Sequence, residues 1–210
     1  MPAFAFVYGD LIPSTNVDIQ HTCRPDDLVL LRTAREFIFG AGLSTQLTPW
    51  QVLADYGEDN LFPAPDKMDR DQLTLLSNCV LTRDGPLRPY VAAGRMFLRP
   101  RLQVPRVTLA AQHQTGTQTE EATVTTPAVL ASTWALPWRG AHVFVNPTTR
   151  PVEVREVFLF RPTRFYLNGE PTEPFGSPEF TIPPLSTMVA EQIQKEAPWP
   201  LGERFEVDER

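Results

Sequence analysis

Asp10 is the carboxylate whose setting invites a chemical reading. It follows residues 3–8, a short and nearly continuous apolar run that stops at Gly9. Such a run is the pattern of a strand buried on both faces. Tyr8 closes the same run, so a phenol and a carboxylate come to one strand end. Each also has a plain reading, Asp10 as the cap of its own loop and Tyr8 as a core tyrosine. Trp50 lies in the long irregular stretch 42–65 with Tyr56 and Phe62. A loop indole is either a packing anchor or a flat apolar platform for the C–H face of a sugar ring.

Other residue patterns exclude chemistries. His21, His113 and His142 lack metal-ligand spacing. Asp55, Glu58, Asp59, Asp66, Asp69 and Asp71 make an acidic neighbourhood without the order of a calcium loop. No metal and no cofactor is therefore expected. A serine nucleophile elbow, a P-loop and a dinucleotide glycine pattern are all missing, and Gly40-Ala41-Gly42 has no continuation. The net charge is −6, and the densest basic group, Arg95, Arg99, Arg101 and Arg106, is broken by prolines, which excludes a nucleic-acid footprint. The apolar N-terminus is too short to span a membrane and lacks a basic leader, so the chain as written is expected in the cytoplasm and off the membrane. Cys23 and Cys79 have no CxxC spacing and read as two thiols, with a disulfide left open.

The elements that would position these residues change character along the chain. Strand 3–8, a helix opening at Pro25-Asp26-Asp27 and running through 28–36, and a second apolar run at 37–39 give a strand–helix–strand rhythm, which implies parallel strands. Residues 69–82 predict a helix with Leu73, Leu76, Val80 and Leu81 on its apolar side, ended by Gly85-Pro86. A proline-flanked connector covers 89–102. After Arg106 come short runs rich in Val, Thr, Phe and Leu, at 107–109, 122–124, 129–135, 142–146, 152–160, 165–167, 179–182 and 187–193. Turns at Arg139-Gly140, Asn146-Pro147, Asn168-Gly169 and Pro183-Pro184 separate them, which is the grammar of an antiparallel β-sandwich. The 22 prolines suit edge and loop positions of such a fold. The expected fold class is thus α/β followed by all-β, with a charged, loosely held tail at 197–210.

Several motifs together resemble bacterial glycoside-hydrolase-like proteins built on a (β/α)8 barrel. Tyr8-Gly9-Asp10 is similar to a barrel strand ending in Tyr-x-Asp/Glu, and Phe39-Gly40 to the turn that ends the last strand. Gly94-Arg95-Met96-Phe97-Leu98-Arg99-Pro100 resembles the exit from the barrel. Val143-Phe144-Val145-Asn146-Pro147-Thr148 and Ile182-Pro183-Pro184-Leu185-Ser186-Thr187 resemble the small sandwich that follows such barrels. The resemblance implies a partial barrel segment over 1–105 and a sandwich over 106–196.

It also implies a carbohydrate partner. Asp10 would be one of the two carboxyl groups that flank a glycosidic bond, or a ligand of sugar hydroxyls, with Tyr8 and Trp50 as substrate contacts. A whole barrel needs eight strands and roughly 250 residues, so the chain reads as a C-terminal portion that is not catalytic alone. On a separate, purely structural reading the chain would assemble with a separately encoded barrel half or a second copy, through an apolar patch around Phe4, Phe6, Phe37 and Phe39. The front part should yield to proteolysis before the part beyond Arg106. The alternative is a non-catalytic carbohydrate-binding or structural sandwich module, working through an exposed aromatic pair; one of Trp134 and Trp138 could serve there, and core packing is the plain reading of both.

Overall fold

The computed structural model describes residues 23–24, 26–41, 43, 70–97, 100–115, 118–156, 162–175 and 179–193. After a short strand β1 (Cys23–Arg24), the first helix, α1 (Asp26–Ile38), buries Leu30, Ala34, Phe37 and Ile38 at helical spacing. Its end is a Schellman motif: Gly40 takes φ +72°, its N–H donates to the Phe37 carbonyl at 2.9 Å, and the Ala41 N–H donates to that of Glu36 at 3.1 Å. The strand expected at 37–39 is therefore corrected: Phe37 and Ile38 form the last helical turn, and Phe39-Gly40 closes it. A three-residue apolar run fits either element, and the helical period of Leu30, Ala34 and Phe37 outweighs it.

Helix α2 (Arg70–Asp84) matches the expected span but presents a different face. Gln72, Leu75, Leu76, Cys79 and Thr82 are buried, whereas Val80 and Leu81 are 37% and 54% exposed. The side facing the sheet is partly polar and bonds the strand beneath. Asn78 Nδ2 donates to the Leu185 carbonyl at 2.8 Å, and the Thr82 and Thr187 hydroxyls share a hydrogen bond. A short helix, α3 (Arg88–Ala93), follows, with proline in its first turn and Tyr90 buried.

The remaining strands are β2 (Arg95–Phe97), β3 (Leu102–Gln103), β4 (Arg106–Thr115), β5 (Gln118–Pro127), β6 (Leu130–Leu136), β7 (Arg139–Asn146), β8 (Val152–Glu156), β9 (Arg164–Leu167), β10 (Glu170–Thr172), β11 (Glu179–Ile182) and β12 (Ser186–Ile193). They form a six-stranded sheet of order β10-β9-β12-β7-β6-β2 and two three-stranded sheets, β11-β8-β3 and β1-β4-β5. Every pairing among the described residues is antiparallel, so no parallel pair of a strand–helix–strand unit is found there. Strand 3–8 lies outside the described residues.

Period-2 alternation sends the central strands into two cores. Trp134, Ala141, Val143, Val145 and Val189 meet Leu30, Phe37, Leu75, Cys79 and Tyr90 of the helices. Ala131, Phe144, Met188 and Ala190 meet Val152, Val154, Phe180 and Ile182 of the β11-β8 pair. The first core draws on both sides of position 105, and β2 is an edge strand of the six-stranded sheet. Phe37 is fully buried and Phe39 packs against the same core, so neither offers the exposed patch expected of them; Phe4 and Phe6 lie outside the described residues. No helix among the described residues is long and apolar enough to cross a membrane.

Two turns lock the layers. Asn168 and Gly169, both at positive φ (51° and 88°), make the two-residue loop between β9 and β10, and a Cβ on Gly169 would lie 2.9 Å from the Leu81 carbonyl oxygen. At the other connection Asn146 is fully buried. Its Nδ2 donates to the carbonyls of Arg150 (2.8 Å), Ile182 (3.1 Å) and Pro183 (2.9 Å), and its Oδ1 accepts from the Thr148 N–H at 2.9 Å. Asn146→Leu is expected to cost about 2–4 kcal/mol, since it strands one buried and three part-buried backbone groups at once. An unfolding free energy from urea titration within about 0.5 kcal/mol of the parent chain's would mean that the amide does not hold these connections together.

Candidate functional site

The described residues bring polar side chains together most tightly around Glu191. On β12, Glu191 alternates with Thr187 and Val189, so it faces the helices, and it is only 4% exposed. The Tyr90 hydroxyl of α3 donates to its Oε1 at 2.8 Å. Tyr166 of β9 reaches Oε2 at 3.5 Å, and the Arg139 guanidinium of β7 stands 3.8 Å from Oε1 with its outer part in solvent. The register explains the grouping: Tyr166 lies opposite Val189, and Arg139 opposite Ile193, so both flank Glu191 on its own face. Burial, and then the Glu191 charge and hydrogen bond, push the Tyr90 phenol well above its usual range, which keeps it a donor at every physiological pH.

Glycosidic bond cleavage by two carboxyl groups needs a second acid across a gap that admits substrate. Around Glu191 the described partners are two phenols and a guanidinium, so the cluster acts as a hydrogen-bonded pin between α3 and the sheet. A buried charge of this kind is tolerated because it is paired.

His142 lies on the opposite face of the same sheet, fully buried, with Nδ1 3.0 Å from the Thr133 hydroxyl and its ring 6.3 Å from that of Phe144. Burial lowers its pKa to about 3, so the imidazole is neutral. Among the described residues there is no group of three or more histidine, cysteine or acidic side chains placed to hold a metal ion. The two indoles of β6 and its turn separate: Trp134 is 1% exposed and donates to the Ser132 hydroxyl at 3.0 Å, while Trp138, in the two-residue turn before β7, is 50% exposed.

Asp10, Tyr8 and Trp50, the sequence candidates for catalysis and substrate contact, lie outside the described residues. The Glu191 cluster has no counterpart among those candidates. One sign was available, a glutamate at a core-facing position of the alternation Thr187, Val189, Glu191. Tyr90, Tyr166 and Arg139 carry no such mark, because they come from separate elements. No protein-family model, no curated protein and no solved structure matches the chain.

Proposed function

We propose that this chain is the C-terminal portion of a glycoside-hydrolase-like protein of the (β/α)-barrel kind, in which the antiparallel sheets form a sandwich that buttresses the barrel and takes no part in bond cleavage. The observation that supports this is the seam between α2 and β12. There an apolar layer of Leu75, Cys79 and Val189 is flanked by the bonds from Asn78 to Leu185 and between Thr82 and Thr187. Such a seam joins helix to sheet rigidly, as a buttress requires. On this reading Asp10, with Tyr8 and Trp50, belongs to the barrel mouth, and the second carboxyl group comes from a strand of another segment. The purified chain is expected to turn over none of a panel of aryl glycosides, and the coding sequence upstream should encode further strand–helix units. Clear turnover by the chain alone, or an upstream frame without such units, overturns the reading.

Trp138 favours a second reading, a carbohydrate-binding module. A half-exposed indole fixed on a two-residue turn after Pro137 is a preorganised apolar platform. Binding on a glycan array that disappears in Trp138→Ala would support it, and binding unchanged by that substitution would remove it.

A further inference from the structure

Strand β5 is ten residues long and pairs along its length with β4, from Thr115 opposite Gln118 to Arg106 opposite Pro127. Its other edge has no strand partner among the described residues. Thr123, Val124 and Thr125 are all exposed, so the ribbon stands clear on both faces at this point. One face begins in the protein: Val107 packs against the core of Phe144 and Ile182. Two residues further on, Leu109 is half-buried and its cross-strand partner Val124 is 38% exposed. An apolar row thus runs off the core and ends at the free edge.

We propose that this edge is a self-association surface, on which β5 of a second copy adds antiparallel about a two-fold axis at Val124. A free strand edge is chemically specific for an extended backbone, and its side-chain register selects which one. In this register Val124 faces its own copy, and the row becomes Leu109, Val124, Val124, Leu109 across four strands. Thr123 falls opposite Thr125, and Ala122 opposite Thr126. Position Glu121 falls opposite Pro127, whose neighbour on the far side is Arg106, and Glu120 falls opposite Ala128, so no acidic position meets another in this register. The Arg106 guanidinium already reaches across to β5, donating to the Thr125 carbonyl at 3.1 Å. The uncharged window 122–126 contains neither the proline nor the lysine that usually blunts an exposed edge. The two β1-β4-β5 sheets would become one continuous sheet through the axis.

The inference is independent of any reaction the chain takes part in. Light scattering coupled to size exclusion should give twice the 23.7 kDa monomer mass at micromolar concentration. Val124→Lys sets two like charges opposite each other on the axis and should weaken dimerisation at least about tenfold, with an unchanged circular dichroism spectrum. Val124→Cys should form a covalent dimer under mild oxidation, because residues facing across an antiparallel pair have Cβ atoms about 4.5–5.5 Å apart; Leu81→Cys, exposed on α2, should not. A monomer at 100-fold higher concentration overturns the proposal. So does a dimer indifferent to Val124→Lys, or cross-linking no greater through Val124→Cys than through Leu81→Cys.

Discussion

Trp134→Ala is expected to lower stability by about 3–5 kcal/mol, the range for emptying a large aromatic site in a packed core. The indole is 1% exposed and sits where α1, α3 and the six-stranded sheet meet. Its loss removes contact with each layer and leaves the buried Ser132 hydroxyl without the indole N–H that it accepts at 3.0 Å. Set against a margin of about 5–15 kcal/mol for a folded domain, this is close to unfolding. The expected observation is a large drop in the urea midpoint with an unchanged slope. A companion substitution checks the geometry. A Cβ on Gly40 would lie 2.8 Å from Cη2 of Trp134 and 2.6 Å from Cγ1 of Val91, at a φ of +72°. Gly40→Ala should therefore destabilise the parent chain, and less so once Trp134 is alanine, since one of its two clashes has gone. Additive effects would mean that the helix end does not rest on the indole.

Acid should destabilise the protein through His142. Its folded pKa of about 3 lies below the ordinary 6.5, so between these values the unfolded chain binds a proton that the folded chain refuses. Stability from this group is complete above pH 6.5 and is lost as pH falls towards 3. The slope approaches one proton, about 1.4 kcal/mol per pH unit at most. The charged form is disfavoured because the ring is fully buried, beside Phe144 and the Thr133 hydroxyl. His142→Asn keeps a polar contact for Thr133 and has nothing to titrate, so its stability should vary less with pH by close to one proton across this window. A parent and variant with the same slope between pH 6.5 and 4 would show that the imidazole takes up its proton without leaving the core.

Local residue choice alone determined most of the element order. The turns Asn146-Pro147 and Asn168-Gly169, the period-2 strands, and the helix ended by Gly85-Pro86 were legible because each depends on backbone propensity and near neighbours. The turn expected at Arg139-Gly140 falls two residues earlier, at Pro137-Trp138, with Arg139 and Gly140 already paired in β7. Tertiary structure decided what those elements face. Residues 37–39 could serve as strand or helix, and packing of Phe37 against Leu75 and the sheet chose helix. Helix α2 turns Asn78 and Thr82 towards the sheet and Leu81 outward, because the Leu185 carbonyl and the Thr187 hydroxyl reward polar partners that an amphipathic reading discards. The Glu191 cluster was out of reach for the same reason. Its members, Tyr90, Arg139, Tyr166 and Glu191, are as far as 101 residues apart, and only the antiparallel register of β7, β12 and β9 under α3 brings them to one carboxylate.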